Sequence, residues 1–200
     1  PKDHMSGVAG IKLKYSPYSD ELVRKYFPDP EIWNLWECFN LGDLIDAYYV
    51  YLESLGRRDN ATKFFGSFRR IRNAVSHSAP LLLDVERTGN VPQIEFVDSC
   101  LHDLFDGESA IPIPSSIKKS QLVYDYSSFL CMFLIICNSM PVRRLAGEQV
   151  SKIADRILRN FGRYYAGSAA GPKLRNVLGC LIKRSKGVSQ YIDADWKAPH

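Results

Sequence analysis

From Gln121 to Met140 the chain reads QLVYDYSSFLCMFLIICNSM, and between Phe129 and Cys137 every residue is apolar. That apolar run is far shorter than the roughly 20 residues needed to cross a bilayer. A helix apolar nearly all round must be covered on every side, so this segment belongs at the centre of other helices. Two hundred residues, 46% hydrophobic and 24% charged, are enough for one domain with a proper core. The expected fold is all-α, an antiparallel helical bundle, with Pro141 ending the central helix.

Three further segments carry helical spacing. Between Glu31 and Leu55 the residues Leu35, Phe39, Leu41, Leu44, Ile45, Tyr48 and Leu52 recur near helical spacing, with Gly42 marking a kink or a close contact. In Ala61–Pro80 the side chains of Phe64, Phe68, Ile71 and Val75 fall within about 60° of one another, while Arg69, Arg72, Asn73 and Ser76 share the far side. From Glu148 to Tyr165 a buried stripe of Val150, Ile153, Ile157, Phe161 and Tyr164 is expected, with Lys152, Arg156, Arg159 and Arg163 on one outer face. Between these helices, residues 81–118 read as an insertion, either a loop or a small hairpin in which Leu81–Val85 and Ile94–Val97 flank Thr88-Gly89-Asn90.

The ends read differently. Residues 1–16 are a polar tail, with Pro1-Lys2-Asp3-His4 expected to be a remnant ahead of an initiator Met5. Residues 17–166 are expected to form the bundle, and 167–200 a basic extension: a short helix over Lys173–Lys186, then loosely packed residues from Gly187.

Charge is distributed unevenly behind a net +4. No Lys or Arg lies between Lys25 and Arg57, whereas Pro141–Gly187 carries a large excess of both. A basic third of this kind suits a polyanion, or an acidic helix of the same or a partner chain. Five scattered cysteines without a C-x-x-C pair suggest reduced thiols and a cytoplasmic location. Phosphate-binding glycine loops, G-x-S-x-G and H-E-x-x-H are all missing, and the histidines are far apart, so no cofactor and no metal are expected.

Arg72-Asn73-Ala74-Val75-Ser76-His77 places a His five residues after an Arg at a helix end. Upstream, Trp33-Asn34-Leu35-Trp36-Glu37-Cys38-Phe39-Asn40-Leu41-Gly42-Asp43-Leu44 is similar to the W-x-x-x-E-x-x-S-F-G-x-L segment of the abortive-infection (Abi-like) branch of the HEPN ribonucleases. In that branch the segment is followed, as here, by an R-N-x-x-x-H helix. The resemblance covers residues 32 to 83, and it departs from the branch after the His, where Ser78-Ala79-Pro80-Leu81 stands.

The resemblance implies a metal-independent endoribonuclease leaving 2′,3′-cyclic phosphate and 5′-hydroxyl ends. It implies a toxin or abortive-infection effector in bacterial anti-phage defence, held in check by an antitoxin protein or RNA. It also implies a homodimer in which two helix ends form one composite cleft. The chemistry is plausible for these residue types, because RNA carries its own 2′-hydroxyl nucleophile and the protein need supply only proton transfer and a cation. His77 would move the proton, Arg72 would hold the phosphate and Asn73 would orient either group, with Arg69, Ser76, Lys152, Arg156, Arg159 and Arg163 contacting RNA. Three alternatives stay open. Arg72 and His77 could simply meet the last carbonyls and the negative end of a helix dipole, a HEPN-like module could bind RNA or a protein without cutting, and a plain helical domain could bind an acidic partner through its basic C-terminus.

Overall fold

The computed structural model describes residues 40–81, 94–104, 115–161 and 171–197, with Glu21, Arg24 and Lys25 besides. Among the described residues the chain is all α, with six helices, two short 3-10 turns and no strand. They fall into two compact units, Pro1–Thr62 and Lys63–His200.

The first unit contains α1, Leu41–Ser54. Its start is set by Asn40, extended at ψ 167°, whose Oδ1 accepts from the amides of Gly42 (2.8 Å) and Asp43 (3.2 Å). The Asn40 Nδ2 donates in turn to Asp43 Oδ2 at 2.7 Å, a reciprocal cap. So α1 begins at Leu41, and Gly42 lies in its first turn rather than at a kink inside a helix running on from Glu31; residues 31–39 lie outside the described residues. Ile45 and Leu52 are its buried side chains. At the other end Arg57 N donates to Leu52 O and Gly56 N to Glu53 O, each 3.0 Å, with Gly56 in the left-handed region at φ +61°. This double bond is the Schellman termination, and glycine fits it because no Cβ opposes the left-handed backbone. The chain then folds back on α1 through Tyr48, whose hydroxyl donates to Asp59 Oδ2 at 2.5 Å; that bond to a carboxylate raises the phenol's pKa above its ordinary value.

A 3-10 turn, Asn60–Phe64, crosses the boundary between the units; the second unit then holds α2, Phe65–Ser76, α3, Ile94–Leu104, α4, Gln121–Ile136, α5, Met140–Asn160, and α6, Gly171–Lys197. The core gathers Val123 of α4, Val177, Leu178 and Leu181 of α6 and Ile117 of a 3-10 turn, with Ile157 and Phe161 packed on them. Tyr126 of α4 and Ser185 of α6 hydrogen-bond at 2.6 Å between the same helices, and burial pushes the Tyr126 phenol up.

Four expectations are corrected here. Ile94–Val97 is the first turn of α3 and not a strand: Val97 and Leu101, four apart, are both buried, a helical pair that local β-branched composition concealed. Residues 82–93 and 105–114 of the expected insertion lie outside the described residues. Pro141 opens α5 instead of closing α4, because a proline lacks only an amide that the first turn leaves unused. The carbonyls at the end of α4 are met by Arg143, which donates from Nη2 to Leu134 O at 2.6 Å and from Nε to Cys137 O.

The third correction concerns α5. Its inner face is marked by Gly147 and Ala154, while Ile153, expected in the buried stripe, is 46% exposed. A Cβ on Gly147 would stand 3.3 Å from Ile192 Cδ1, so α5 and α6 approach over small residues. The fourth is the basic extension. Residues 171–197 form one helix of 27 residues, and Val177, Leu178, Leu181, Val188 and Ile192 are buried along it. Arg175, Lys183 and Lys186 are exposed on a helix that the core needs. Its one link to Asp155, from Lys186 at 3.9 Å, is solvent-screened and contributes little.

Candidate functional site

The rotation of α2 is fixed by its seam with α4. Phe68 stacks on Phe129 with ring centroids 5.9 Å apart and planes 4° from parallel. One step further along α2, Arg70 grips Asp125: Nη2 to Oδ1 at 2.6 Å and Nε to Oδ2 at 2.9 Å. The same Nη2 reaches Ser67 Oγ at 3.0 Å, and Gln121 Nε2 donates to Asp125 Oδ1 at 2.9 Å. The Asp125 side chain is 8% exposed and that of Arg70 50%, so the carboxylate is held in the protein and the guanidinium straddles its edge. This hydrogen bonding raises the Arg70 pKa further above its usual value. Sequence reasoning passed over Arg70 and Asp125. The available signal was Asp125 itself, the only acid in an otherwise uncharged stretch from Gln121 to Ile136, since a buried carboxylate needs a donor.

Because Phe68 meets Phe129 while Arg70 meets Asp125, the two helices run antiparallel. The first residue of α4 is Gln121, one turn before Asp125, so the final turn of α2 extends past its support. Val75 is 62% exposed as a result, although it shares the apolar side of α2 with Phe64, Phe68 and Ile71; Ile71, a turn earlier, is half-buried. Arg69, Arg72 and Ser76, on the polar face of α2, are exposed, as is His77 at its end, and Asn73 is half-buried.

His77 caps this overhang. Its amide donates to Asn73 O at 3.0 Å, and the chain closes with Ser78 N to Val75 O (3.1 Å) and Ala79 N to Ala74 O (2.8 Å). This is the termination used at Gly56, yet here the left-handed residue is Ser78, at φ +51°. A side chain in that region costs roughly 1–2 kcal/mol, partly offset by the greater freedom of glycine when unfolded. Ser78→Gly should therefore raise stability by about 0.5–1 kcal/mol, seen as a rise of about 2 °C in Tm. An unchanged or lower Tm would show that Ser78 is not strained.

The candidate catalytic side chains are brought to one helix end but not to one point. Arg72 Nη1 donates to the side-chain oxygen of Asn73 at 3.1 Å, and Asn73 meets His77 through its backbone carbonyl. Five residues apart on an α-helix, Arg72 and His77 point about 140° from each other around the axis.

The basic residues of α5 sit elsewhere. Lys152, Arg156 and Arg159 are exposed on α5, whose main seam is with α6, whereas α2 packs on α4; Arg163 lies outside the described residues. Among the described residues the most deeply placed cation is Arg184 of α6, within the expected basic extension, whose side chain is 5% exposed and ion-paired with Asp98 of α3. Nothing local could reveal that pair, since the two residues are 86 apart in the chain. Cys131 and Cys180 lie near it, and burial pushes both thiols up, so neither is a ready nucleophile.

Among the described residues no group of three His, Cys, Asp or Glu side chains is placed to hold a metal ion, and no helix is long and apolar enough to cross a membrane. No protein-family model, curated protein sequence or solved structure matches this chain.

Proposed function

We propose that the protein is a metal-independent endoribonuclease of HEPN type, cleaving RNA to 2′,3′-cyclic phosphate and 5′-hydroxyl ends. The reading rests on the similarity carried by Trp33–Leu44 and Arg72–His77. The observation that supports it most is that Arg72 and His77 are both exposed at the same end of α2. Arg72 then holds the scissile phosphate through a forked, permanently charged donor, and Asn73, already bonded to it, fixes its direction. His77, on a tight turn rather than within a helix, moves the proton. Arg69 and Ser76 extend the polar face along which RNA lies.

The divergence of Arg72 and His77 around the axis favours a site built from two copies. One α2 end supplies the cation to a phosphate while its counterpart supplies the imidazole, and a second His77 provides the proton donor that a single imidazole lacks. Such a homodimer suits a toxin or abortive-infection effector restrained by an antitoxin protein or RNA, acting in the cytoplasm.

The test is incubation of the full chain with mixed RNA in excess EDTA, with end-group analysis of the products. Wild type should give cyclic-phosphate ends. His77→Ala and Arg72→Ala should each slow cleavage at least about 100-fold, the scale of a lost general acid–base group. Both positions are exposed, so neither substitution should unfold the chain. Intact RNA in every lane would dismiss the enzyme and leave a second reading, a non-catalytic RNA- or protein-binding module. That reading is favoured by the bond from Arg72 to its own neighbour, which occupies part of the guanidinium.

A further inference from the structure

Helix α5 buries Gly147 and Ala154 against its neighbour, so its opposite face looks outward. At about 100° per residue, Leu145, Gln149, Lys152, Arg156 and Arg159 centre on that outward side, with Val142 and Ile153 along one edge of it. The aliphatic members are far from covered: Val142 is 50%, Leu145 58% and Ile153 46% exposed. Lys152, Arg156 and Arg159, three and four residues apart, are exposed too, a spacing at which like charges repel. The acids of the helix, Glu148 and Asp155, lie to one side of this line, with long, exposed contacts to Arg144 at 3.8 Å and Lys186 at 3.9 Å.

We propose that this outer face of α5 docks an acidic amphipathic helix of another protein. The chemistry of the face selects that class of partner. A nucleic-acid strand would satisfy the cations, but it covers apolar surface by stacking bases on aromatic rings, and this face has none. Val142, Leu145 and Ile153 are spaced instead for the ridge of a second helix, and the cations run beside and beyond them. An occupant with aliphatic residues at three- and four-residue intervals and carboxylates flanking them satisfies both requirements at once. It covers the aliphatic edge, and it relieves the repulsion among Lys152, Arg156 and Arg159. The surface is distinct from the α2 overhang, so the inference does not depend on RNA cleavage.

The experiment is a titration of the full chain by fluorescence anisotropy against four labelled probes. They are a synthetic helix with a leucine seam flanked by glutamates, a scrambled peptide of the same composition, a single-stranded RNA and vesicles of phosphatidylserine with phosphatidylcholine. The leucine–glutamate helix should bind tightest. Leu145→Asp and Arg156→Glu should each weaken it at least tenfold, and a peptide with lysine in place of the facing glutamate should recover affinity for Arg156→Glu alone. Both substitutions are at exposed positions, and circular dichroism should show unchanged helix content. Equal binding of the scrambled peptide, or affinity indifferent to Leu145→Asp, would overturn the proposal. So would tighter binding of RNA or vesicles through the same cations. Absence of cleavage in the RNA assay, with peptide binding intact, would remove the nuclease reading and leave this one standing.

Discussion

Asp98→Ala should lower the free energy of unfolding by about 3–5 kcal/mol, the scale for breaking a buried ion pair from one side. Arg184, its partner on α6, is the buried member: its guanidinium side chain is 5% exposed against 29% for Asp98. Its Nε already lies buried without a hydrogen bond, so Asp98 is the acceptor that keeps the charge tolerable. Removing the acid strands a cation that water cannot reach. The opposite deletion is far milder, because Arg184→Met fills similar space and leaves a carboxylate that solvent can still hydrate; a loss of about 1 kcal/mol is expected. Adding Arg184→Met to Asp98→Ala should then restore much of the stability, a coupling that urea titrations of the four proteins would measure. Equal losses for the two single variants would mean that the pair is not asymmetric in burial.

The second large effect is the mirror image. Arg70→Ala should cost about 3–5 kcal/mol, since it leaves the carboxylate of Asp125 buried with Gln121 as its remaining side-chain donor. The attraction between the two charges is not the main reason, because the Arg70 guanidinium is half in water and screened. The loss comes from a stranded anion. Asp125→Asn should accordingly cost only about 1–2 kcal/mol, the amide still accepting from Arg70 while the base turns partly to solvent. Because this contact also fixes how α2 is rotated, Arg70→Ala should speed amide exchange along Phe65–Ser76 more than in α6. If exchange rises equally in both helices, the contact stabilises the unit as a whole and does not single out the helix bearing Arg72 and His77.

These two pairs show where sequence and structure part. Asp125 announces a partner, since an acid inside an apolar helix cannot be left alone, yet which cation answers it depends on two helices meeting antiparallel. Arg184 announces nothing, for it stands among other cations in a stretch that composition marks as surface. The same holds for α6 as a whole, where glycines and basic residues mask a buried stripe that only its neighbours reveal. Gly147 and Ala154 are a further case, since small residues carry no hydrophobic signal and matter through how closely α6 approaches.

Local chemistry by itself determined the all-α class, the apolar character of the central helix, the polar face of α2 and the turn after His77. These follow from periodicity, from backbone preferences and from the side-chain types present, all of which act over a few residues. Tertiary structure decided what burial depends on: that α2 outruns α4 and so exposes Val75, that Ile153 faces outward while Ala154 faces in, and that Asp98 and Arg184 share one site. Burial is set by the end of a neighbouring helix, by the distance between axes and by residues remote in the chain, and no short window of sequence contains those quantities.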